Sequence, residues 1–234
     1  MAPLPAEVDK ATRPPGAGQE LSLPRPAGGR RWGSRGIAWT GVGRRRTEAA
    51  LEALAQQGVQ EVVHLGCAGA LRPGLRAGDA FWIEAVCCES EEHTPIQLAS
   101  DDPLRSALFR AGHDLPGAQC VSVREVASSP AAKATLAARY PEAALVEMET
   151  YWAAATAQRL GLRLVALRVV IDSREHTLPD LTPALDELGR PKPLAFAARL
   201  LRRPQTALAL PGLARAFGAA QRRLGELANV LLET

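Results

Sequence analysis

The sequence predicts a three-layer α/β/α fold, in which a mainly parallel, mixed central sheet lies between helices and further helices follow at the C-terminus. Apolar strand-like segments alternate with helical ones between residues 36 and 171, which is typical of parallel strands joined by crossover helices. The chain has 234 residues, 47% hydrophobic and only 4% aromatic, which suits one domain with a core of Ala, Leu and Val. After residue 172 no further strand is predicted.

The first third of the chain combines an irregular segment with the first predicted strands and helix. Residues 1–35 are rich in Pro, Gly and Arg, and we expect no regular structure there. A strand is predicted at 36–40 and a helix at 44–57, with Ala50, Leu51 and Leu54 on one face. Gly58 ends this helix as a C-terminal cap. Strands at 61–65 and 80–87 follow, separated by a loop that begins with small residues.

The remaining elements continue the alternation. The acidic segment 89–102 is predicted to be a loop, and a helix at 104–112 and a strand at 119–126 come after it. The helix at 130–140 has Pro130 in its first turn, where proline is tolerated. A strand at 143–147, a helix at 149–160 ended by Gly161, and a strongly apolar strand at 162–171 complete the sheet. Residues 173–192 read as a loop, and two or three helices with an apolar face follow.

Composition and motif content exclude several classes of function. The net charge of +3 is too small to indicate nucleic-acid binding. The four cysteines lack metal-ligand spacing and the four histidines form no HxxxH or HExxH pattern, so neither a metal site nor another cofactor is predicted. No apolar run reaches about 18 residues and no apolar signal segment opens the sequence, so we expect a cytoplasmic protein.

Small residues and carboxylates follow the predicted strands. Gly66, Cys67, Ala68 and Gly69 come directly after an apolar strand, and so small a run lets a ligand approach the backbone. The alternative for this run is tight packing of a helix on the sheet. Glu147 and Glu149 lie where a strand gives way to a helix, and Asp172 ends the most apolar strand. Carboxylates at strand ends face the ligand crevice of an α/β sheet, where one can bind a ribose diol and a desolvated one can deliver a proton. Helix or turn capping is the alternative role for Glu149 and Asp172.

Three motifs together resemble the nucleoside phosphorylase/nucleosidase superfamily. They are GCAGALRPGLRAGD at residues 66–79, VEME at 146–149 and LRVVID at 167–172, in the order found in that family. The resemblance is closest to the methylthioadenosine/S-adenosylhomocysteine nucleosidases, and it implies a nucleoside phosphorylase-like catalytic domain over residues 1–180. Residues 181–234 then form a helical extension of the same domain, within which residues 200–215 resemble hopanoid-associated phosphorylases of the superfamily.

The resemblance implies a role for each matching residue. Asp172 matches the acid that protonates the purine, or hydrogen-bonds it, at N7, and Glu7 matches the N-terminal Glu that positions or activates the attacking water. Glu149 matches the acid that binds the ribose hydroxyls, and Met148 packs beside the sugar. Breaking a C–N glycosidic bond generates a cationic sugar, which carboxylates stabilise. The other predicted substrate-binding residues lie in the motifs or in the segment where the family has a base-stacking aromatic: Glu147, Gly66, Cys67, Ala68, Gly69 and Val126.

Four activities are compatible with these residues. A purine nucleosidase would release the base from a 5′-substituted adenosine, and an adenosylhopane-like lipid is one candidate substrate. A phosphate-dependent nucleoside phosphorylase, a futalosine-hydrolase-like enzyme and a nucleoside-binding protein without catalysis are the alternatives. His64 stands where hexameric phosphorylases have an arginine, which favours water as the nucleophile, whereas Gly43 and Arg44 at a helix start form a candidate anion-binding site. Ile171 stands where the family often has serine, which favours the non-catalytic alternative.

The expected partners are a small-molecule nucleoside and a second copy of the chain, because sites in the family are commonly completed across subunits. A homodimer or larger homo-oligomer is therefore implied by the resemblance. Between Glu187 and Glu226 there are eight basic residues and no acidic one, so the C-terminal helices could contact an anionic membrane surface. The alternative is that these helices pack on the core and present a solvated basic face.

Overall fold

The computed structural model describes residues 19–24, 27–32, 35–90, 94–99, 103–178 and 204–233. The strands of these residues are β1 (Gln19–Glu20), β2 (Gly28–Trp32), β3 (Arg35–Trp39), β4 (Glu61–Ala70), β5 (Ala80–Cys88), β6 (Ile96–Gln97), β7 (Gly117–Ser122), β8 (Ala143–Glu147) and β9 (Arg163–Asp172). The helices are α1 (Arg44–Gln56), α2 (Pro103–Arg110), α3 (Pro130–Arg139), α4 (Thr150–Leu160) and α5 (Pro204–Glu233). Glu7 and most of the predicted 173–192 loop lie outside the described residues.

The central sheet closes on itself. Its strands follow the order β6-β5-β7-β8-β4-β9, and β5 also pairs with β9, so β5, β7, β8, β4 and β9 form a closed ring. The pairs β5–β7, β7–β8 and β4–β9 are parallel, whereas β4–β8 and β5–β9 are antiparallel. The predicted α/β fold with a mixed central sheet is confirmed, and the closure of the ring goes beyond the prediction.

Helices cover both faces of this sheet. Alternate residues of β9 enter two different core clusters, because successive side chains of a strand point to opposite faces. One cluster contains Leu51 of α1 and Trp152 of α4. The other contains Leu108 of α2 and Leu224 of α5. Helix α3 contributes Leu136 to a third cluster, beside β7 and β8.

Strand β4 differs from the prediction at its C-terminal end. The predicted strand stops at Leu65, but β4 continues through all the small residues to Ala70. β9 pairs with it as far as Gly69, and β8 pairs with Gly69 and Ala70. Hydrogen bonding to β9 and β8 holds this segment extended, although Gly and Ala have little preference for strands by themselves. The prediction of a loop at 66–70 is therefore wrong.

The N-terminal end of the described chain also departs from the prediction. The strands β1-β2-β3 form a separate antiparallel sheet, so the irregular structure expected for residues 28–32 is wrong. This sheet is joined to the main core by the buried side chains of Leu21 and Ala38. Helix α5 is a single helix of 30 residues that contains Pro211, and the number of helices predicted after residue 192 stays a prediction because residues 193–203 lie outside the described residues. None of the described helices is both long and apolar enough to span a membrane.

Candidate active site

The candidate site lies where β4, β8 and β9 meet. In the strand register, Gly69 of β4 is opposite Val146 of β8 on one side and Asp172 of β9 on the other. A Cβ atom at residue 69 would lie only 3.2 Å from Oδ1 of Asp172 and 3.2 Å from Cγ1 of Val146. Glycine suits this position because the absence of a side chain lets the Asp172 carboxyl pack closely against β4.

Asp172 is buried at the end of β9 and forms an ion pair with Lys133 of α3. The Lys133 ammonium donates to Oδ2 of Asp172, and it is itself completely buried. Burial raises the pKa of Asp172, whereas the hydrogen bond and the charge of Lys133 act in the opposite direction. A carboxyl whose pKa is raised can hold a proton closer to neutral pH, as a general acid must.

Glu149 is the residue before α4 and is also buried. Its Oε1 atom accepts a hydrogen bond of 2.9 Å from the backbone N–H of Gly43, immediately before α1. The carboxylate is therefore held between the starts of α1 and α4, where helix dipoles favour negative charge. Since β8 and β9 flank β4, Glu149 and Asp172 follow strands that are two spacings, about 10 Å, apart.

Glu147, the first acid of the VEME motif, lies in a buried polar network below this site. Its Oε2 atom accepts from the backbone N–H groups of Glu149 at 2.9 Å and Thr150 at 2.8 Å. Arg168 also donates to Oε2, at 3.0 Å, and Ser122 donates to Oε1. Burial acts to raise the pKa of Glu147, but Arg168 and these hydrogen bonds outweigh it and lower the pKa. The carboxylate thus organises the turn that presents Glu149.

Arg168 connects this network to β4. Its Nη2 atom lies 3.1 Å from Nδ1 of His64 and donates to Oγ1 of Thr150 at 2.7 Å, and its Nη1 atom donates to the His64 carbonyl. Burial lowers the pKa of His64 well below its usual value, and the Arg168 charge lowers it further. His64 is therefore an uncharged acceptor inside the fold, enclosed with Arg168.

The structure places the remaining predicted substrate-binding residues on β4, after β8 and in the loop after β7. Gly66 is paired with Arg168 in the strand register, Cys67 packs towards the α5 side and Ala68 is buried on the opposite face. Met148 packs against the cluster beside α3. Val126 lies in the loop after β7, because this strand ends at Ser122 rather than at residue 126, and it is 51% exposed.

The candidate anion site at the start of α1 is occupied by groups of the chain itself. The N–H of Gly43 donates to Glu149, as described above. The Arg44 guanidinium forms an ion pair of 2.8 Å with Glu48 and lies 4.0 Å from the centre of the Trp152 ring. Among the residues that the structure describes, no three His, Cys, Asp or Glu side chains are grouped as metal ligands would be.

Sequence reasoning missed Lys133 and Arg168 as parts of the site. Lys133 is three residues before Leu136, on the buried face of α3, and a lysine on an apolar helix face is unusual. Arg168 is a charged residue inside the most apolar strand of the chain. Both departures from hydrophobic patterning signal a buried ionic partner, but not which carboxylate it is.

A family model described as Phosphorylase superfamily matches residues 33–203, which is well over half of the chain. The chain belongs to the phosphorylase superfamily, and the predicted enzyme class, N-glycosyl hydrolase or nucleoside phosphorylase, is confirmed at the level of this superfamily. No curated protein matches the sequence.

Solved structures of nucleosidases share the fold. The 5′-methylthioadenosine/S-adenosylhomocysteine nucleosidase from Neisseria meningitidis, in complex with methylthio-immucillin-A, is similar with 19% identity and a TM-score of 0.66 over 97% of this chain and 96% of that one. The corresponding Helicobacter pylori nucleosidase, with butyl-thio-DADMe-Immucillin-A, gives 16% identity and a TM-score of 0.66 over 100% and 96%. A futalosine hydrolase mutant of Helicobacter pylori gives 17% and 0.59 over 72% and 86%. This likeness shows that the chain has the fold of these nucleosidases.

Proposed function

We propose that this protein is a purine nucleosidase that hydrolyses the N-glycosidic bond of a 5′-substituted adenosine and releases the base. The observation that carries the proposal is the pair of buried carboxyl groups, Asp172 and Glu149, which follow the two strands on either side of Gly69. Their environments differ, since Asp172 has a raised pKa and an ammonium partner whereas Glu149 accepts a backbone N–H. Two carboxyl groups in unlike environments are suited to two different roles.

In this proposal Asp172 acts on the base and Glu149 acts on the sugar. Protonation of the purine at N7 by Asp172 turns the base into a neutral leaving group, so the C1′–N9 bond breaks with its electron pair on the purine. Glu149 accepts hydrogen bonds from the ribose hydroxyls and stabilises the positive charge that develops on the ring. Glu7, which lies outside the described residues, would position the attacking water, as the family resemblance implies.

Water is favoured over phosphate as the nucleophile. A phosphorylase needs cationic or N–H groups directed at a phosphate ion. Here the Gly43 N–H is bonded to Glu149, and Arg44 is engaged by Glu48 and Trp152. His64 is enclosed with Arg168 and has a lowered pKa. These pairings support hydrolysis. The base-release experiment described below distinguishes it from the futalosine-hydrolase-like and non-catalytic alternatives.

The finer proposals concern the 5′ group and the assembly of the protein. A lipid-like 5′ substituent, suggested by the hopanoid-associated resemblance, is consistent with exposed Arg215 and Arg222 on α5, which could contact anionic lipid. A homodimer is consistent with the exposed Val126 in the loop beside the site, which a second copy could cover. Residues 181–234 are proposed as an extension of the same domain, because α5 buries Leu224 against the sheet.

The experiment that tests the proposal is base release from a panel of adenosines with different 5′ groups, each with and without phosphate. Reaction in ¹⁸O-labelled water identifies the nucleophile, because hydrolysis places the label at C1′ of the released sugar. Labelled sugar and phosphate-independent release would support the nucleosidase, and the preferred 5′ group would identify the substrate class. Release only with phosphate would make the protein a phosphorylase, and no release from any member would favour the non-catalytic alternative.

A further inference from the structure

Lys133 is fully buried, and all three of its N–H donors are used. They go to Oδ2 of Asp172, to the backbone carbonyl of Ser173 at 2.7 Å and to that of His176 at 3.2 Å. These three acceptors match the three N–H donors of a lysine ammonium. A lysine is almost never buried in this way without a specific ionic partner.

We propose that Lys133 is a positioning residue of the reaction, which anchors Oδ2 of Asp172 and leaves Oδ1 to act on the leaving base. The proposal rests on the nucleosidase function given above and adds a residue that none of the sequence motifs contains. Among the described residues, the hydrogen bond that the Asp172 carboxyl accepts goes to Oδ2, and both carboxyl oxygens lie within 3.3 Å of the position that a Cβ atom of residue 69 would take. The carboxyl is therefore fixed in rotation by Lys133 on one side and by β4 on the other.

The segment around Lys133 is itself held in place. Ser129 caps the start of α3 by accepting from the N–H of Ala132 at 3.1 Å. The N–H of Leu178 donates to the Ser128 carbonyl at 2.8 Å, which ties the loop after β9 to the start of α3. Lys133 bridges the same two segments from inside. The ammonium therefore orders the loop beside the site as well as the acid.

The Lys133 ammonium has a second role, because Asp172 becomes negatively charged when it gives its proton to the base. When the base leaves, the O–H bond on Oδ1 of Asp172 breaks, an N–H bond forms at N7, and the electron pair of the C1′–N9 bond passes to the purine. Asp172 becomes a carboxylate in a buried site, where an unpaired charge is costly. Lys133 is already in contact with Oδ2 and compensates this charge without giving up a proton of its own.

The pH dependence of the reaction reports on this pair. The titratable groups that act on the Asp172 carboxyl are Lys133 from α3 and His176 from the following loop. Gly69 of β4 and Val146 of β8, which also face this end of β9, carry no charge. Activity that needs protonated Asp172 decreases as the pH rises through the pKa of this group. Removing the Lys133 charge raises that pKa, so the alkaline limb should move to higher pH.

The test compares wild type, Lys133→Met and Thr135→Met, the last an exposed control on the same helix. We expect Lys133→Met to lose about 10- to 100-fold in kcat, because the acid is no longer held in position. Its alkaline limb should move up by about 1 to 3 pH units. Thr135→Met should match wild type in both measurements. A loss of kcat with an unmoved alkaline limb would overturn the proposal, because a merely structural residue would behave in that way.

A second background keeps the test decisive if Lys133→Met is unstable. In the Asp172→Asn background no carboxylate needs the ammonium, so adding Lys133→Met should lower kcat by a clearly smaller factor than it does in the wild-type background. An additional loss as large as in the wild-type background would show that Lys133 does not act through Asp172.

The pH titration of the Asp172 carboxyl by difference infrared spectroscopy is a test that needs no enzymatic activity. The titration midpoint of the carboxyl should be higher in Lys133→Met than in wild type. An unchanged midpoint would contradict the contact between Lys133 and Asp172 that the proposal requires, even if the protein is not a nucleosidase.

Discussion

The residue types at and around Gly69 follow from the side chains that pack against them. Gly69 has no side chain because the Asp172 carboxyl and Val146 occupy the space that a side chain would fill. Cys67 and Ala68, its neighbours in the motif, pack into the protein on opposite faces of β4. The small-residue motif thus serves the close approach of an acid at one position and core packing at the others. The packing of Cys67 and Ala68 agrees with the second interpretation of this motif, and the approach of a ligand to its backbone stays a prediction.

We predict that Gly69→Ala reduces kcat/KM at least about tenfold, because even small displacements of a catalytic group are costly. The new methyl group would lie 3.2 Å from Oδ1 of Asp172, so the carboxyl must shift. Overpacking of this kind destabilises by about 1–3 kcal/mol, which denaturant unfolding can measure. Gly212→Ala on α5 is the control, because its Cβ would have no neighbour within 4 Å. Full activity in Gly69→Ala would show that the close approach is not needed.

The buried His64 predicts a dependence of stability on pH. Because its pKa is lowered well below the usual value, the folded protein leaves His64 neutral at pH values where the unfolded chain binds a proton. The contribution of His64 to stability is therefore complete above about pH 6.5 and is lost as the pH falls below it, with a slope that approaches about 1.4 kcal/mol per pH unit. Urea unfolding between pH 7 and pH 5 should show this slope in wild type and a shallower one in His64→Gln. Identical slopes in the two proteins would mean that His64 is protonated in the fold.

At the scale of elements, the ends of strands and the starts of helices present the site. β9 ends in Asp172, and the turn from β8 into α4 presents Glu149. This turn is held by Glu147, whose carboxylate binds the first N–H groups of α4 and the Arg168 side chain. The motif VEME therefore combines a structural acid with a candidate substrate-binding acid two residues later.

We predict that Arg168→Met destabilises the protein by about 3–5 kcal/mol, because it leaves the buried Glu147 carboxylate without its charged partner. The matched control is Arg159→Met, which removes an exposed ion pair of 2.7 Å with Glu52. Exposed pairs contribute about 0–1 kcal/mol, so the control should unfold close to wild type. Equal effects of the two substitutions on urea unfolding would contradict a structural role for the Arg168 network.

At the scale of the whole molecule, the local sequence pattern predicted most helices and strands, but it did not predict that the central sheet closes into a ring. The predicted 143–147 strand coincides with β8, and the predicted helices at 44–57, 104–112, 130–140 and 149–160 differ from α1 to α4 by one or two residues at an end. The pairing of β5 with β9 joins residues 85 to 89 positions apart, which no local pattern encodes. Long-range pairing of β4 with β9 and β8 likewise holds residues 66–70 in a strand against their propensity.

The candidate site could be predicted only in part, for the same reason. The motifs identified Asp172 and Glu149, because acids at strand and helix ends are visible in sequence. Lys133 was invisible as a partner, since it lies 39 residues before Asp172 and only the folded chain brings them together. The phosphorylase superfamily membership follows from a match over residues 33–203, whereas the proposal that water is the nucleophile depends on local pairings such as that of Gly43 with Glu149.

The proposed function depends on Asp172 acting as the acid in a hydrolytic cleavage of a nucleoside. The most direct measurement is the rate of adenine release from the best substrate of the panel, in phosphate-free buffer, for wild type, Asp172→Asn and the exposed control Asp114→Asn. We predict that Asp172→Asn loses about 10²- to 10⁴-fold in kcat, as expected when a general acid is removed, while Asp114→Asn keeps the wild-type rate. Equal rates for Asp172→Asn and wild type would contradict the account.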